Sequence, residues 1–240
     1  MARKKQNILC LGPIDSISIT RELNNLLRQK SFAAIYLVDG GFLHFKKLNA
    51  KLQKKYLPKT FWVGDGDSLR ECHSLVKALF KHFPDKQKFF HSPIKDASDT
   101  KLMLKLLQKN WMQSNGSPPD IYAYGFLNSG AATTTPIKEQ RLDHLLCNVG
   151  EFHRFSKRNK STLFLDRKAI ILPAGKHQFK IEGLFSLIFF QKSRVKLMGQ
   201  CDYTLPEGAI IQPFSSHMLS NIGRGKVSLD IQKTALLTFS

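Results

Sequence analysis

The sequence predicts an α/β parallel-sheet domain followed by an all-β sandwich domain, and three observations carry that expectation. Ahead of about residue 160, short apolar runs alternate with segments whose apolar residues recur every three or four positions. Beyond it the pattern is strand after strand, with Gly and Pro in the intervening turns. Apolar residues make up 42% of the 240-residue chain, enough for packed cores in both halves.

In the first half, residues 8–11 read as a strand and residues 19–29 as a helix. Residues 33–38 form a strand that stops at Asp39, Gly40 and Gly41, and residues 60–63 one that stops at Gly64 and Asp65. The helix after it spaces Leu69, Cys72, Leu75, Val76, Leu79, Phe80 and Phe83 along one face. Residues 88–91 read as a further strand. Residues 99–111 read as a helix with Met103, Leu106, Leu107 and Trp111 on one side, and residues 121–124 as a strand ending at Gly125. Residues 142–155 are expected to be helical, burying Leu142, Leu145, Leu146, Val149 and Phe152. Strands alternating with helices imply a parallel sheet covered on both faces, with ligands bound outside the carboxyl ends of its strands. Asp39, Asp65 and Gly125 all fall on that edge.

Residues 155–161 are polar and read as a linker, dividing the chain into domains at 1–157 and 162–240. After it, strands are expected at 162–165, 169–172, 178–181, 185–190, 195–197, 209–212, 227–231 and 234–239. A sandwich of about eighty residues is marginal alone, so it is expected to pack on the first domain or on a second subunit.

Lys and Arg number 37 against 18 Asp and Glu, a formal charge of +19. Such a balance suits a nucleic acid, a membrane surface or an anionic small substrate. The basic residues are scattered, with no long block and no basic helix face, which disfavours nucleic acid as the main partner. No apolar stretch approaches a membrane span; the longest covers residues 184–190. The apolar run after the basic start ends at Gly12 and Pro13, too short for a signal-peptide core. Cys10, Cys72, Cys147 and Cys201 form no CxxC and read as small buried apolar residues in a reducing compartment. A soluble, cytoplasmic protein is expected.

Carboxylates are scarce, yet five sit in three short segments: Asp39, then Asp65 and Asp67, then Asp96 and Asp99. Alternate aspartates in the turn Gly64, Asp65, Gly66, Asp67, Ser68 can both reach one hard cation, and Mg²⁺ takes one or two protein carboxylates and fills its shell with water and phosphate oxygens. The same turn also reads as a helix cap, with Asp67 or Ser68 at the N-cap. Asp96, Ser98 and Asp99 open the next helix, where Ser98 or Asp99 can cap and the acids complement the helix dipole. Gly40 and Gly41 serve a tight loop or a close approach to a nucleotide. Arg141 before Asp143 and His144 can clamp phosphate bidentately or pair with Asp143 on the surface. No zinc-ligand spacing, GxxxxGK[ST], GxGxxG or nucleophilic triad is present.

In their order, these segments resemble the thiamine pyrophosphokinases. That family carries D-G-G, then G-D-x-D-S, D-x-T-D and R-x-D-H. The counterparts are Asp39–Gly41, residues 64–68, residues 96–99 with Ser98 for Thr, and residues 141–144. In the second half, residues 183–190 resemble the family's G-x-x-S-L-I segment. Gly199, Tyr203 and Leu205 resemble its aromatic segment, and Leu219, Ser220 and Asn221 its Ser-Asn motif. The family's glycine-rich loop before the arginine is replaced here by a longer stretch, residues 126–140, rich in Ala, Thr and Pro.

The resemblance implies transfer of pyrophosphate from ATP to the hydroxyl of thiamine, giving thiamine diphosphate and AMP, with Mg²⁺. It implies Asp65, Asp67 and Asp96 as metal ligands, with Asp99 beside them and Arg141 completing the catalytic set. Asp39, Gly40, Gly41, Gly64, Ser68 and Ser98 fall on the nucleotide side. Tyr203, Ser220, Asn221 and Asp143 fall on the thiamine side, with Tyr203 stacking on a cationic ring. It also implies a homodimer and no membrane partner. Two alternatives stay open: a pyrophosphokinase of the same build acting on another hydroxymethyl heterocycle such as a pterin, and a non-catalytic basic relative that binds nucleic acid.

Overall fold

The structure, a computed structural model, describes residues 5–13, 17–66, 80–81, 83–91, 97–113, 117–127 and 142–239. The chain divides into two compact units, Met1–Glu151 and Phe152–Ser240.

The first unit holds β1 (Asn7–Leu11), α1 (Ile17–Gln29), β2 (Ala34–Val38), a 3₁₀ turn at Asp39–Gly41, α2 (Phe42–Lys46), α3 (Ala50–Tyr56), β3 (Thr60–Gly64), β4 (Lys88–Phe90), α4 (Asp99–Gln113) and β5 (Asp120–Tyr124). Helix α5 (Leu142–Asn159) begins in it. Its strands run in the order β5-β1-β2-β3-β4, every pair parallel. Parallel strands lie between helical layers, so they read as unbroken apolar runs; Leu9, Cys10, Leu11, Ile35, Leu37 and Trp62 are fully enclosed. Each such aliphatic side chain contributes about 1.5–3 kcal/mol on burial.

Helices α2 and α3 have no counterpart in the sequence reading. Helix α3 is seven residues long and buries only Leu52 and Tyr56, too few repeats to register as a period. Its start is fixed by Asn49, whose side chain accepts from the Leu52 N–H at 3.0 Å. Of the expected helix carrying Leu69 to Phe83, only Phe80, Lys81 and Phe83 are among the described residues. Phe80 and Phe83 pack on Phe42 with ring centroids 5.7 and 5.5 Å away, and Phe80 meets Trp62 at 5.1 Å. Helix α4 buries Met103 and Leu107 as expected, together with Thr100 and Leu104, and leaves Leu106 and Trp111 half-buried.

Helix α5 departs from expectation at both ends. Leu142 and Leu146 are 61% and 63% exposed, while Phe152 and Phe155 are buried. A 3.6-residue period marks a stripe but does not say which part of it finds a neighbour. The polar stretch read as a linker is the last turn of this helix: Phe155, Ser156 and Asn159 are buried, and the Ser156 hydroxyl donates to the Ser161 carbonyl at 2.8 Å. Cysteine burial is also uneven, with Cys10 enclosed, Cys201 half-buried and Cys147 exposed.

The second unit holds β6 (Leu163–Leu165), β7 (Ala169–Leu172), β8 (Gly175–Phe189), β9 (Ser193–Cys201), β10 (Leu205–Ile211), β11 (Asn221–Ile231) and β12 (Ala235–Phe239). They form an antiparallel ladder in the order β10-β9-β11-β8-β12-β7-β6. Eight strands were expected and seven form, because residues 178–181 and 185–190 join into β8. Gly183, expected as a turn, sits inside that strand at φ 114° opposite Gly223. Phe185 is the register partner of Asn221 in β11 and of Phe239 in β12, so β8 changes neighbour there. Leu172, Phe185, Leu187, Leu197, Val227, Leu229 and Leu237 form its apolar core. Among the described residues no helix is long and apolar enough to cross a membrane.

Candidate active site

The carboxyl ends of β2, β3 and β4 meet at one place in the first unit, and backbone geometry holds them there. Asp39 leaves β2 at φ 46°, in the left-handed region that Asp enters more readily than most residues. Its carbonyl accepts from the Trp62 indole N–H at 3.0 Å. Gly64 ends β3 with no room for a side chain: a Cβ there would stand 2.6 Å from the Trp62 ring and 3.3 Å from the Asp39 Cα. Gly41 is equally confined, since its Cβ would fall 2.0 Å from the Leu11 carbonyl oxygen. Gly40 meets only ordinary contacts, 3.5 Å to Pro13. Of the two glycines, Gly41 is therefore explained by packing alone, and Gly40 is not. Phe42 turns away from the edge into the aromatic core.

Asp65 and Gly66 follow directly, Gly66 at φ 85°. The His91 N–H donates to the Gly64 carbonyl at 3.2 Å, locking the end of β4 to the turn. His91 Nε2 in turn lies 2.6 Å from Asp99 Oδ1, both side chains largely buried. One connected frame thus carries Asp39, Gly64, Asp65, His91 and Asp99. Ser98 takes the capping role: its hydroxyl accepts from the Lys101 N–H at 3.2 Å. Helix α4 therefore points its amino end, with Asp99 as first residue, into this frame.

Asp67, Ser68, Asp96 and Arg141 lie outside the described residues. Among the described residues no group of three or more His, Cys, Asp or Glu forms a metal cage. Asp65, after Gly64, is a hard oxygen donor of the kind Mg²⁺ takes. Asp143 stands on the exposed first turn of α5, 3.8 Å from His144. Sequence reasoning passed over Phe90 and His91. A three-residue edge strand carries no period, and the His91–Asp99 contact bridges elements separated in sequence.

In the second unit, Asn221 is buried and both ends of its amide are hydrogen-bonded. Oδ1 accepts from the Tyr203 and Ile222 N–H groups at 3.1 and 2.9 Å, and Nδ2 donates to the Tyr203 carbonyl at 2.8 Å. Asn221 thus holds the Tyr203 backbone, and the Tyr203 ring is left 66% exposed. The Cys201 thiol donates to the same carbonyl at 3.3 Å; burial and then the neighbouring Asp202 push that thiol's pKa up, keeping it protonated. Asp202 pairs bidentately with Arg224 at 2.8 and 3.1 Å. Ser220 adopts φ 55°, its N–H donating to the Ser186 hydroxyl at 3.0 Å.

No protein-family profile matches the sequence, and no curated protein matches it. Solved structures do match in fold. A thiamine pyrophosphokinase from Bacillus subtilis superposes with a TM-score of 0.66 at 18% identity, covering 99% of both chains. One from Geobacillus thermodenitrificans gives 0.64 at 20% identity over 98% of both chains. A thiamin pyrophosphokinase family protein from Enterococcus faecalis gives 0.63 at 18% identity over 99% of both. Across both of its units, this chain has the fold of the thiamine pyrophosphokinases.

Proposed function

We propose that the protein transfers pyrophosphate from ATP to the hydroxyl of thiamine, yielding thiamine diphosphate and AMP. The observation that carries the reading is the frame of Asp39, Asp65, His91 and Asp99 at the carboxyl edge of a parallel sheet, in a chain that shares the thiamine pyrophosphokinase fold. The thiamine oxygen attacks the β-phosphorus, the bond from that phosphorus to the α–β bridging oxygen breaks, AMP leaves with the oxygen, and the hydroxyl proton passes to solvent. Little covalent work falls to the protein; orientation and charge neutralisation lower the barrier.

Asp65, Asp67 and Asp96 are assigned to Mg²⁺, which when bound neutralises the phosphate oxygens. Asp99 sits beside them, oriented by His91. Gly64, Gly40, Gly41, Asp39, Ser68 and Ser98 shape the nucleotide side, and Arg141 clamps phosphate. In the second unit, taken as a small sandwich, Tyr203 offers an exposed ring for a cationic heterocycle. Ser220 and Asn221 are taken as further thiamine contacts, Asn221 also fixing Tyr203, and Asp143 of the first unit is assigned to the same substrate. A cytoplasmic homodimer belongs to the same reading.

The test is AMP formation by purified protein from ATP and Mg²⁺, with thiamine, with a hydroxymethyl pterin, and with neither. Thiamine-dependent AMP supports the reading. Pterin-dependent AMP keeps the chemistry and changes the acceptor. No AMP with either acceptor, together with salt-sensitive binding of RNA or DNA, favours the non-catalytic basic relative.

A further inference from the structure

We infer that Phe90 is the stacking surface for the base of the nucleotide whose phosphates meet the Asp65 turn. The inference rests on the proposed function and adds a residue and a ring-recognition role to it. Phe90 is the last residue of β4, the register partner of Gly64 at the end of β3, and so stands at the same carboxyl edge as Asp65. It is 60% exposed. Its neighbour Phe89 goes to the other face of the strand, near Phe61 at 6.4 Å. Phe90 instead packs on Trp62 and Phe80, with ring centroids 4.9 and 5.9 Å away. The turn lies next to it: a Cβ added at Gly66 would stand 3.5 Å from the Phe90 ring.

An aromatic ring held by two others loses little freedom when a ligand ring settles on it. Apolar exposure of this size beside a polar, phosphate-facing turn has the composition of a ligand site: one broad apolar surface with a few placed polar groups. Every nucleobase presents a π-face, so such a platform binds the base without reading its edge. ATP and GTP are then expected to bind comparably.

The test is calorimetry on the full chain with two probes, Mg·ATP and Mg·tripolyphosphate, the second lacking a ring. Phe90→Leu keeps apolar contact with Trp62 and Phe80 and is checked by its melting temperature; Phe90→Trp keeps the π-face. Phe90→Leu is expected to weaken Mg·ATP roughly tenfold while leaving tripolyphosphate unchanged, and Phe90→Trp to retain ATP affinity. Unchanged ATP affinity in Phe90→Leu, or an equal loss for both probes, overturns the inference and leaves the Mg–nucleotide reading standing. Failure of the unsubstituted protein to bind either probe overturns both.

Discussion

His91 Nε2 stands 2.6 Å from Asp99 Oδ1, joining the residue after β4 to the first residue of α4. The contact sets the His91 ring directly against the Asp99 carboxylate. Outer partners that position the groups around a metal site are worth about 10–100-fold in affinity or activity. His91→Ala is therefore expected to lower kcat by about tenfold, and His91→Gln, whose amide nitrogen reaches about as far as the imidazole Nε2, to recover part of it. Steady-state kinetics of the two variants at saturating ATP check this; equal losses in both would assign His91 to folding alone.

The two glycines after Asp39 separate packing from ligand contact. Gly41→Ala places a methyl 2.0 Å from the Leu11 carbonyl oxygen, which is backbone and cannot turn aside. The expected cost is about 1–3 kcal/mol of stability, seen as a lower denaturant midpoint. Gly40→Ala meets contacts of 3.5 Å and is expected to fold normally. If Gly40 lies against the nucleotide, that variant shows a raised KM for ATP.

Asn221→Ala removes three hydrogen bonds at once, taking the acceptor from the Tyr203 and Ile222 N–H groups and leaving the Tyr203 carbonyl with the Cys201 thiol. Leaving such groups unpaired costs about 1–3 kcal/mol each when buried. The variant is expected to melt at lower temperature and to lose thiamine affinity while ATP affinity is kept, because the damage lies in the second unit. Tyr203→Ala, which alters an exposed ring, should lose thiamine affinity without the drop in melting temperature.

Stability is expected to fall on mild acidification through His153. Burial, and then the nearby Lys157 and Arg154, lower its pKa below the ordinary value of 6.5, and its ring lies 4.4 Å from Phe190. The folded state then binds fewer protons than the unfolded chain, so the contribution of His153 is present above 6.5 and shrinks as pH drops through and below it. Melting curves at several pH values below 7 check this. His153→Gln should flatten that part of the profile.

The strands of the first unit were legible because they are unbroken apolar runs ending in Asp and Gly, and helix α4 because fifteen residues supply a clear period. Helix α3 was not, since two buried residues make no pattern. Gly183 read as a turn because glycine punctuates many strands, yet here it lies within β8 at a positive φ without ending it. The placement of Asp39 and Asp65 at one edge followed from their positions directly after strands. His91 and Phe90 were invisible because their roles arise from contacts across elements. The hold of Asn221 on the Tyr203 backbone was equally invisible, because it too bridges residues far apart in sequence.

The most direct measurement of the central claim is formation of thiamine diphosphate from ATP, Mg²⁺ and thiamine by the unsubstituted protein and by Asp65→Asn, a change that keeps the shape of the side chain and removes its charge. Turnover that depends on Mg²⁺ and falls by about 10²–10³ in the variant, with the melting temperature kept, is the predicted result. Equal turnover in the two proteins would contradict the assignment of the Asp65 turn as the catalytic centre.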